Sequence, residues 1–156
     1  MSRRNRATKR EIIADWKYNS ALVSKFINAL LKKGKKSLAE RIFYDMIDEL
    51  SNKTGEDGLE VFERAISNVK PLLEVKPRRI GGATYQVPTE INMDRKITLA
   101  IRWILQAVKK RGERGMKNKL AGEIIAASKK EGSAFKKRED THRMAEANKA
   151  FAHFRI

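Results

Sequence analysis

All three prolines of this 156-residue chain, Pro71, Pro77 and Pro88, fall in one short stretch, and the rest of the sequence has none. Proline lacks an amide hydrogen and its ring clashes with the preceding helical turn, so no continuous helix can run through this stretch. Within it, Leu73-Glu74-Val75-Lys76 and Thr84-Tyr85-Gln86-Val87 alternate as strands do, and Gly81-Gly82 can turn between them. A two-stranded antiparallel β-ribbon is expected over residues 72–91, each arm reaching ~20–25 Å at ~3.3 Å per residue.

Outside the ribbon the apolar residues recur at helical spacing. Leu22, Val23, Phe26, Ile27, Leu30 and Leu31 form one stripe, with Ser20 as N-cap and Gly34 past the end. Leu38, Ile42, Phe43, Met46, Ile47 and Leu50 form a second, and Ser37 with Glu40 has capping-box spacing, a start one or two residues earlier also being open. Residues 54–58 break the chain before Leu59, Phe62, Ile66 and Val69 make a third stripe. A fourth helix is expected from Asp94, with Ile97, Ile101, Ile104, Leu105 and Val108 in the core. After Gly112 and Gly115, Met116, Leu120, Ile124 and Ala127 line a fifth, and Gly132-Ser133 opens a more polar sixth reaching about Ala150. The expected fold is mainly α: a single six-helix domain over 1–156, with a protruding β-ribbon and a basic N-terminal arm over 1–14. Trp16 and Trp103 are both expected to pack.

Charge then restricts the partner. Lys and Arg number 35 against 19 Asp and Glu, a net +16, which draws the chain to polyanions. The bases are clustered. Arg3, Arg4, Arg6, Lys9 and Arg10 stand in the first ten residues, and Lys32, Lys33, Lys35 and Lys36 bracket Gly34. Lys76, Arg78 and Arg79 precede the ribbon turn; Lys109, Lys110, Arg111, Arg114, Lys117 and Lys119 form a fourth group; Lys136, Lys137, Arg138 and Arg143 form a fifth. Asp45 to Glu63, by contrast, holds seven acids and one base, Lys53. A basic face on RNA and a solvated acidic face follow from this division. A lone ribbon is marginal in water, so this one is expected to project and to be steadied by RNA. Arg78 and Arg79 can grip phosphate or stack, Tyr85 can stack on a base, and the glycines let the backbone approach closely.

Other functions lack a site. Cysteine is absent, which removes disulfides and thiolate metal ligands and suits a reducing cytoplasm. Neither a signal peptide nor a membrane span is expected. Gly34-Lys35-Lys36-Ser37 resembles the end of a phosphate loop, but Ala29 stands where the earlier glycine is needed. His142 and His153 lie too far apart in sequence to share a zinc on one helix face, and a contact to RNA or a surface position is expected for both. Adjacent Glu139 and Asp140 point about 100° apart on a helix and cannot act as an acid–base pair. An architectural DNA-binding protein is the main rival, because helices with a basic ribbon also suit a DNA groove.

Specific blocks of sequence carry a resemblance along almost the whole chain. Residues 17–20 (KYNS), 25–28 (KFIN), 34–37 (GKKS), Ala39-Glu40, 75–88 (VKPRRIGGATYQVP), Arg102-Trp103 and 136–155 (KKREDTHRMAEANKAFAHFR) resemble the family of bacterial-type small ribosomal subunit protein seven. Trp16 departs from it, since the family often has proline after the aspartate at Asp15. The resemblance implies a six-helix domain with a ribbon and no enzymatic activity, cofactor, metal or small-molecule substrate. It implies direct binding to the 3′ major domain of small-subunit rRNA, nucleating assembly of the head. The position implied is near the decoding region, the exit-site tRNA and the mRNA exit path, with ribosomal proteins nine and eleven as neighbours, in the cytoplasm and ribosome-bound. The five clusters without Lys33 and Arg143, together with Arg95 and Arg102 on the fourth helix, become the expected rRNA contacts. Arg78, Arg79, Gly81, Gly82, Tyr85 and Arg143 become the tRNA-proximal set.

Overall fold

The computed structural model describes residues 10–154, so Arg3, Arg4, Arg6 and Lys9 lie outside the described residues. The chain divides into two compact units, 1–40 and 41–156, with the boundary inside the second helix. Among the described residues are six α-helices, one 3₁₀ helix and one two-stranded sheet. The mainly helical fold with its antiparallel ribbon is therefore as expected. None of these helices is long and apolar enough to cross a membrane.

In the first unit, a tight turn at 16–18 leads into α1 (Ala21–Leu30), which buries Val23, Phe26, Ile27 and Leu30. Ser20 occupies the N-cap position with extended backbone, but its side chain makes no cap bond. The helix stops at Leu30, and the chain turns through Lys33 and Gly34, both in the left-handed region. Helix α2 (Lys36–Thr54) begins one residue before Ser37, which places Ser37 inside the first turn and not at a cap. Trp16 does not pack as expected; its indole is 78% exposed.

Helix α2 is phased about one residue away from the expected stripe. Ala39, Phe43, Met46, Ile47 and Leu50 are buried, while Leu38 is exposed and Ile42 half-buried. The i, i+3, i+4 series that starts at 39 continues through all five, and 38 and 42 lie about 100° around the helix.

In the second unit, α3 (Gly58–Val69) is capped by Asp57, whose carboxylate accepts from the Leu59 N–H at 3.1 Å. A β-carbon at Gly58 would collide with the Ile47 carbonyl and Ser51 Oγ, so the two helices meet there through bare backbone. Ser51 Oγ joins them, donating to Ile47 O at 3.3 Å and accepting from Gly58 N–H at 3.0 Å. Phe43 and Phe62 close the joint edge to face, 5.3 Å between ring centres.

Helix α4 (Met93–Lys110) lies against α3, α5 (Met116–Ser128) and α6 (Gly132–Ala147). This central position explains a buried arc wider than one stripe, running through Leu99, Ala100, Ile101, Trp103, Ile104, Ala107 and Val108. Ile97 and Leu105 fall at its margins, half-buried. The sixth helix ends at Ala147 and not near Ala150, because a 3₁₀ segment, η1 (Lys149–Phe154), takes over.

Strands β1 (Leu73–Ile80) and β2 (Ala83–Glu90) pair from Leu73↔Glu90 to Ile80↔Ala83, each about 26 Å long at ~3.3 Å per residue. Gly81 and Gly82 have φ of 57° and 89°, as a two-residue hairpin turn requires. A two-stranded ribbon has only edges, where Pro77 and Pro88 are tolerated. The ribbon is steadied by its own chain. Helix α6 packs on β1, and η1 packs on β2. Val87 is fully buried, while the tip, residues 81–84, is exposed.

The joint at Gly58 has a measurable consequence. Gly58→Ala should lower unfolding free energy by about 1–3 kcal/mol in a denaturant titration, as overpacking does. Gly112→Ala, whose β-carbon would meet open space, should stay within about 0.5 kcal/mol.

Candidate nucleic-acid interface

Two nearly buried acids organise the bases of the second unit. Glu123 on α5 is 1% exposed. Its Oε2 accepts from Arg111 Nη1 at 2.8 Å and its Oε1 from the Ala134 N–H at 2.9 Å. The carboxylate thus ties the end of α4 to the first turn of α6, where a helix favours negative charge. Arg111 also binds Glu113, at 2.6 Å, and Lys119 Nζ donates to the Arg111 carbonyl at 2.6 Å. Hydrogen bonds to Glu113 and then Glu123 hold the guanidinium above its ordinary pKa, and Arg111 in turn draws the Glu113 carboxyl below its own.

Glu74, 9% exposed in β1, plays the same part at the ribbon base. It accepts from Lys76 Nζ at 2.9 Å and from Arg95 Nη2 at 3.2 Å. Burial pulls its pKa upward, but the two cations together outweigh burial and leave it below the usual range. Lys76 and Arg95, separated by much of the ribbon in sequence, are brought together here.

The cations left exposed around these anchors form a continuous feature on α4. Arg95, Arg102 and Lys109, interspersed with Thr98 and Gln106, are all exposed and follow the three-to-four residue spacing of one helix face. Lys110 joins Lys137 of α6 in lining a cleft of about 240 Å³, together with Trp103, Gln106 and Ser133. The fourth and fifth basic clusters therefore meet. Arg114, Lys117 and Lys136 are exposed nearby in sequence.

Arg138 instead points inward. Its Nη1 donates to the Asn68 carbonyl at 2.6 Å and its guanidinium lies 4.9 Å from the Phe135 ring centre. At the ribbon tip Arg78, Arg79, Gly81 and Gly82 are exposed, as is Arg143 on α6. Tyr85 is half-buried. Its ring lies 5.2 Å from both Phe151 and Phe154.

His142 is likewise engaged inside the chain, since its Nε2 accepts from the Leu72 N–H at 3.0 Å. Burial, and then Arg138, push its pKa below the ordinary imidazole value, which keeps Nε2 the unprotonated acceptor that the bond needs. In the first unit Arg10, Lys32, Lys33, Lys35 and Lys36 are exposed, and Lys36 lies 3.7 Å from Glu40. The acids of α2 and α3 stay mostly exposed, Glu49 pairing with Lys53 at 2.9 Å, and Glu56 between the two helices pairs with Arg64 at 2.7 Å. Glu74 and Glu123 were not singled out from sequence, although each is a lone acid among apolar neighbours.

A family model described as ribosomal protein S7p/S5e matches residues 2–149. The chain belongs to the ribosomal protein S7p/S5e family. Its similarity to small ribosomal subunit protein uS7 is 57% identity for Gemmatimonas aurantiaca and for Lawsonia intracellularis, and 56% for Clostridium botulinum. In each case the match covers 155 residues, 99% of this chain and 99% of the relative. Membership of this family makes the protein a structural ribosomal component of the small subunit, with no enzymatic role. RNA binding and translation accord with the family, and the clustered cations of α4, α5 and α6 are suited to it.

Two outcomes test this geometry. Arg111→Ala should cost about 3 kcal/mol of unfolding free energy, because it strands a buried carboxylate, whereas Arg114→Ala should be nearly neutral. Protonation of His142, deferred by burial and Arg138 to below the ordinary imidazole range, replaces an acceptor by a donor facing another donor. Its pKa is depressed in the folded state, so its stabilisation is present above that range and lost as pH falls through the folded value. Amide exchange at Leu72, corrected for intrinsic rate, should therefore accelerate on acidification, and His142→Ala should remove that dependence.

Proposed function

We propose that this protein is a primary binder of the 3′ major domain of small-subunit rRNA and nucleates assembly of the subunit head. The observation that carries this reading is the junction of α4, α5 and α6. There two basic clusters distant in sequence share one cleft, beside an α4 face lined with Arg95, Arg102 and Lys109. Phosphate contacts from such a surface supply affinity, and the fit to a folded RNA junction supplies specificity. Arg111, Lys119 and Arg138 enter this reading as side chains that shape the surface while partly committed to internal bonds.

The remaining parts of the reading concern the neighbourhood. The exposed ribbon tip (Arg78, Arg79, Gly81, Gly82), with Tyr85 as its anchor, and Arg143 are assigned to the side nearest the exit-site tRNA and mRNA exit path. Arg3, Arg4, Arg6, Lys9 and Arg10 of the N-terminal arm, with Lys32, Lys35 and Lys36, add further rRNA contacts, and ribosomal proteins nine and eleven are adjacent. The protein acts as one RNA-binding domain, bound to cytoplasmic ribosomes; the family match running unbroken over 2–149 supports this.

Binding of the purified chain to a 3′ major-domain transcript is the direct test. With ~6–10 phosphates engaged, affinity should fall ~10³- to 10⁵-fold between ~50 and ~200 mM salt. A flat salt response, or equal affinity for duplex DNA, would overturn the proposal.

A further inference from the structure

Trp103 is only 8% exposed, yet it is more than a core residue. It stands with Gln106, Ala107 and Lys110 at the i, i+3, i+4 and i+7 positions of one stripe on α4. Ser133 and Lys137, one turn apart on α6, complete the lining of the cleft of about 240 Å³. The Trp103 indole N–H has no hydrogen-bond partner among the described residues. Nor is it sealed away, because Arg138 Nε is the single buried side-chain polar atom without a partner among those residues. The N–H therefore opens on the cleft, and as a pure donor it calls for an acceptor there.

The other polar side chains of the lining are equally uncommitted. Gln106, Lys110, Ser133 and Lys137 are exposed, and their side chains have no hydrogen-bond or ion-pair partner among the described residues. No acid lines the cleft. Glu131, just before α6, is exposed and lies outside the lining, and Glu123 spends its charge on Arg111 and the Ala134 N–H. Three neutral donor groups and two cations thus share one small cavity with no carboxylate set against them.

We propose that this cleft seats a single phosphate group of the RNA backbone. Lys110 and Lys137 supply the charge, while the Trp103 N–H, the Ser133 hydroxyl and the Gln106 amide fix its orientation. This rests on the RNA-binding reading above and deepens it by naming the neutral groups that turn two basic clusters into a site. The volume lies below the ~300–1,000 Å³ of small-molecule sites, so it suits one group and not a whole nucleotide. Exposed Arg102, Lys109 and Lys136 flank the lining residues in sequence, so the phosphates next to the seated one also meet cations. A lone carboxylate would leave those cations unanswered.

The test uses the full chain. Its two tryptophans give two indole N–H resonances by NMR, with Trp16 as internal control. Titration with inorganic phosphate, at ionic strength held constant with chloride, should move the Trp103 resonance alone and to saturation, and acetate should move it far less. Binding to the 3′ major-domain transcript gives the second reading. Ser133→Ala should weaken it about tenfold, the worth of a hydrogen bond to a charged group, with the salt slope unchanged. Lys110→Gln combined with Lys137→Gln should reduce that slope by about one unit and not two, because both lysines serve one phosphate. Melting temperatures should hold, since all three side chains are exposed. A Trp103 resonance that ignores phosphate, or answers acetate equally, overturns the seat, as does a slope reduced by two. If Trp103 answers phosphate while Ser133→Ala binds the transcript as the parent does, the backbone assignment is overturned in favour of a free phosphate. If the parent itself ignores the transcript, the RNA-binding reading falls, and the phosphate titration alone decides the seat.

Discussion

Glu123 accepts one bond from Arg111 and another from the Ala134 amide while only 1% exposed, and three helices are positioned by that carboxylate. Gly122 and Gly132 leave the room it needs. A β-carbon at Gly122 would press on the Arg111 guanidinium, and one at Gly132 would press on Glu123 itself. A chain of charge +16 repels itself when compact, and burying a few acids against selected cations is one physical answer. The selected cations lose freedom, and their neighbours remain in solvent at fixed positions. Glu74 repeats the device at the ribbon base with Lys76 and Arg95. Arg102 and Lys109 stay in solvent beside Arg95, which is exposed although Glu74 fixes its guanidinium.

The ribbon shows the same economy in apolar form. Its base is packed through Val87, held by the Leu72–His142 hydrogen bond, and flanked by the rings of Tyr85, Phe151 and Phe154. Only the tip is left to reach a partner. A marginal two-stranded element thus becomes a stiff one without RNA, which lowers the ordering cost of any contact that the tip makes.

Much of this was legible in the sequence because it depends on local rules. The confinement of Pro71, Pro77 and Pro88 located the ribbon, Gly81-Gly82 located its turn, and the apolar spacings located all six helices to within a few residues. What stayed hidden was set by tertiary contact. In α2 the buried face runs through Ala39 and not Leu38, a turn of about 100° that the count of apolar residues does not reveal. Tyr85 and His142 looked available for RNA because their partners, Phe151, Phe154 and Leu72, stand about seventy residues away. Trp16 reads as core by residue type, yet it sits in a turn where Asp15 Oδ2 accepts from the Lys17 and Tyr18 N–H groups, and its indole stays exposed. Basic clusters were visible as clusters, but which members were spent on Glu74 and Glu123 required the fold.

The docking of η1 on the ribbon also bears on the order in which the molecule matures. The segment that steadies β2 follows every other described element along the chain, and the Leu72 amide waits for His142, seventy residues later. During vectorial synthesis the hairpin can turn early, but its lock is made late, after α4, α5 and α6 have left the ribosome that is making them. The hairpin's own strand pairing is thus local in sequence, whereas its fixing to the domain depends on the last two described elements, α6 and η1.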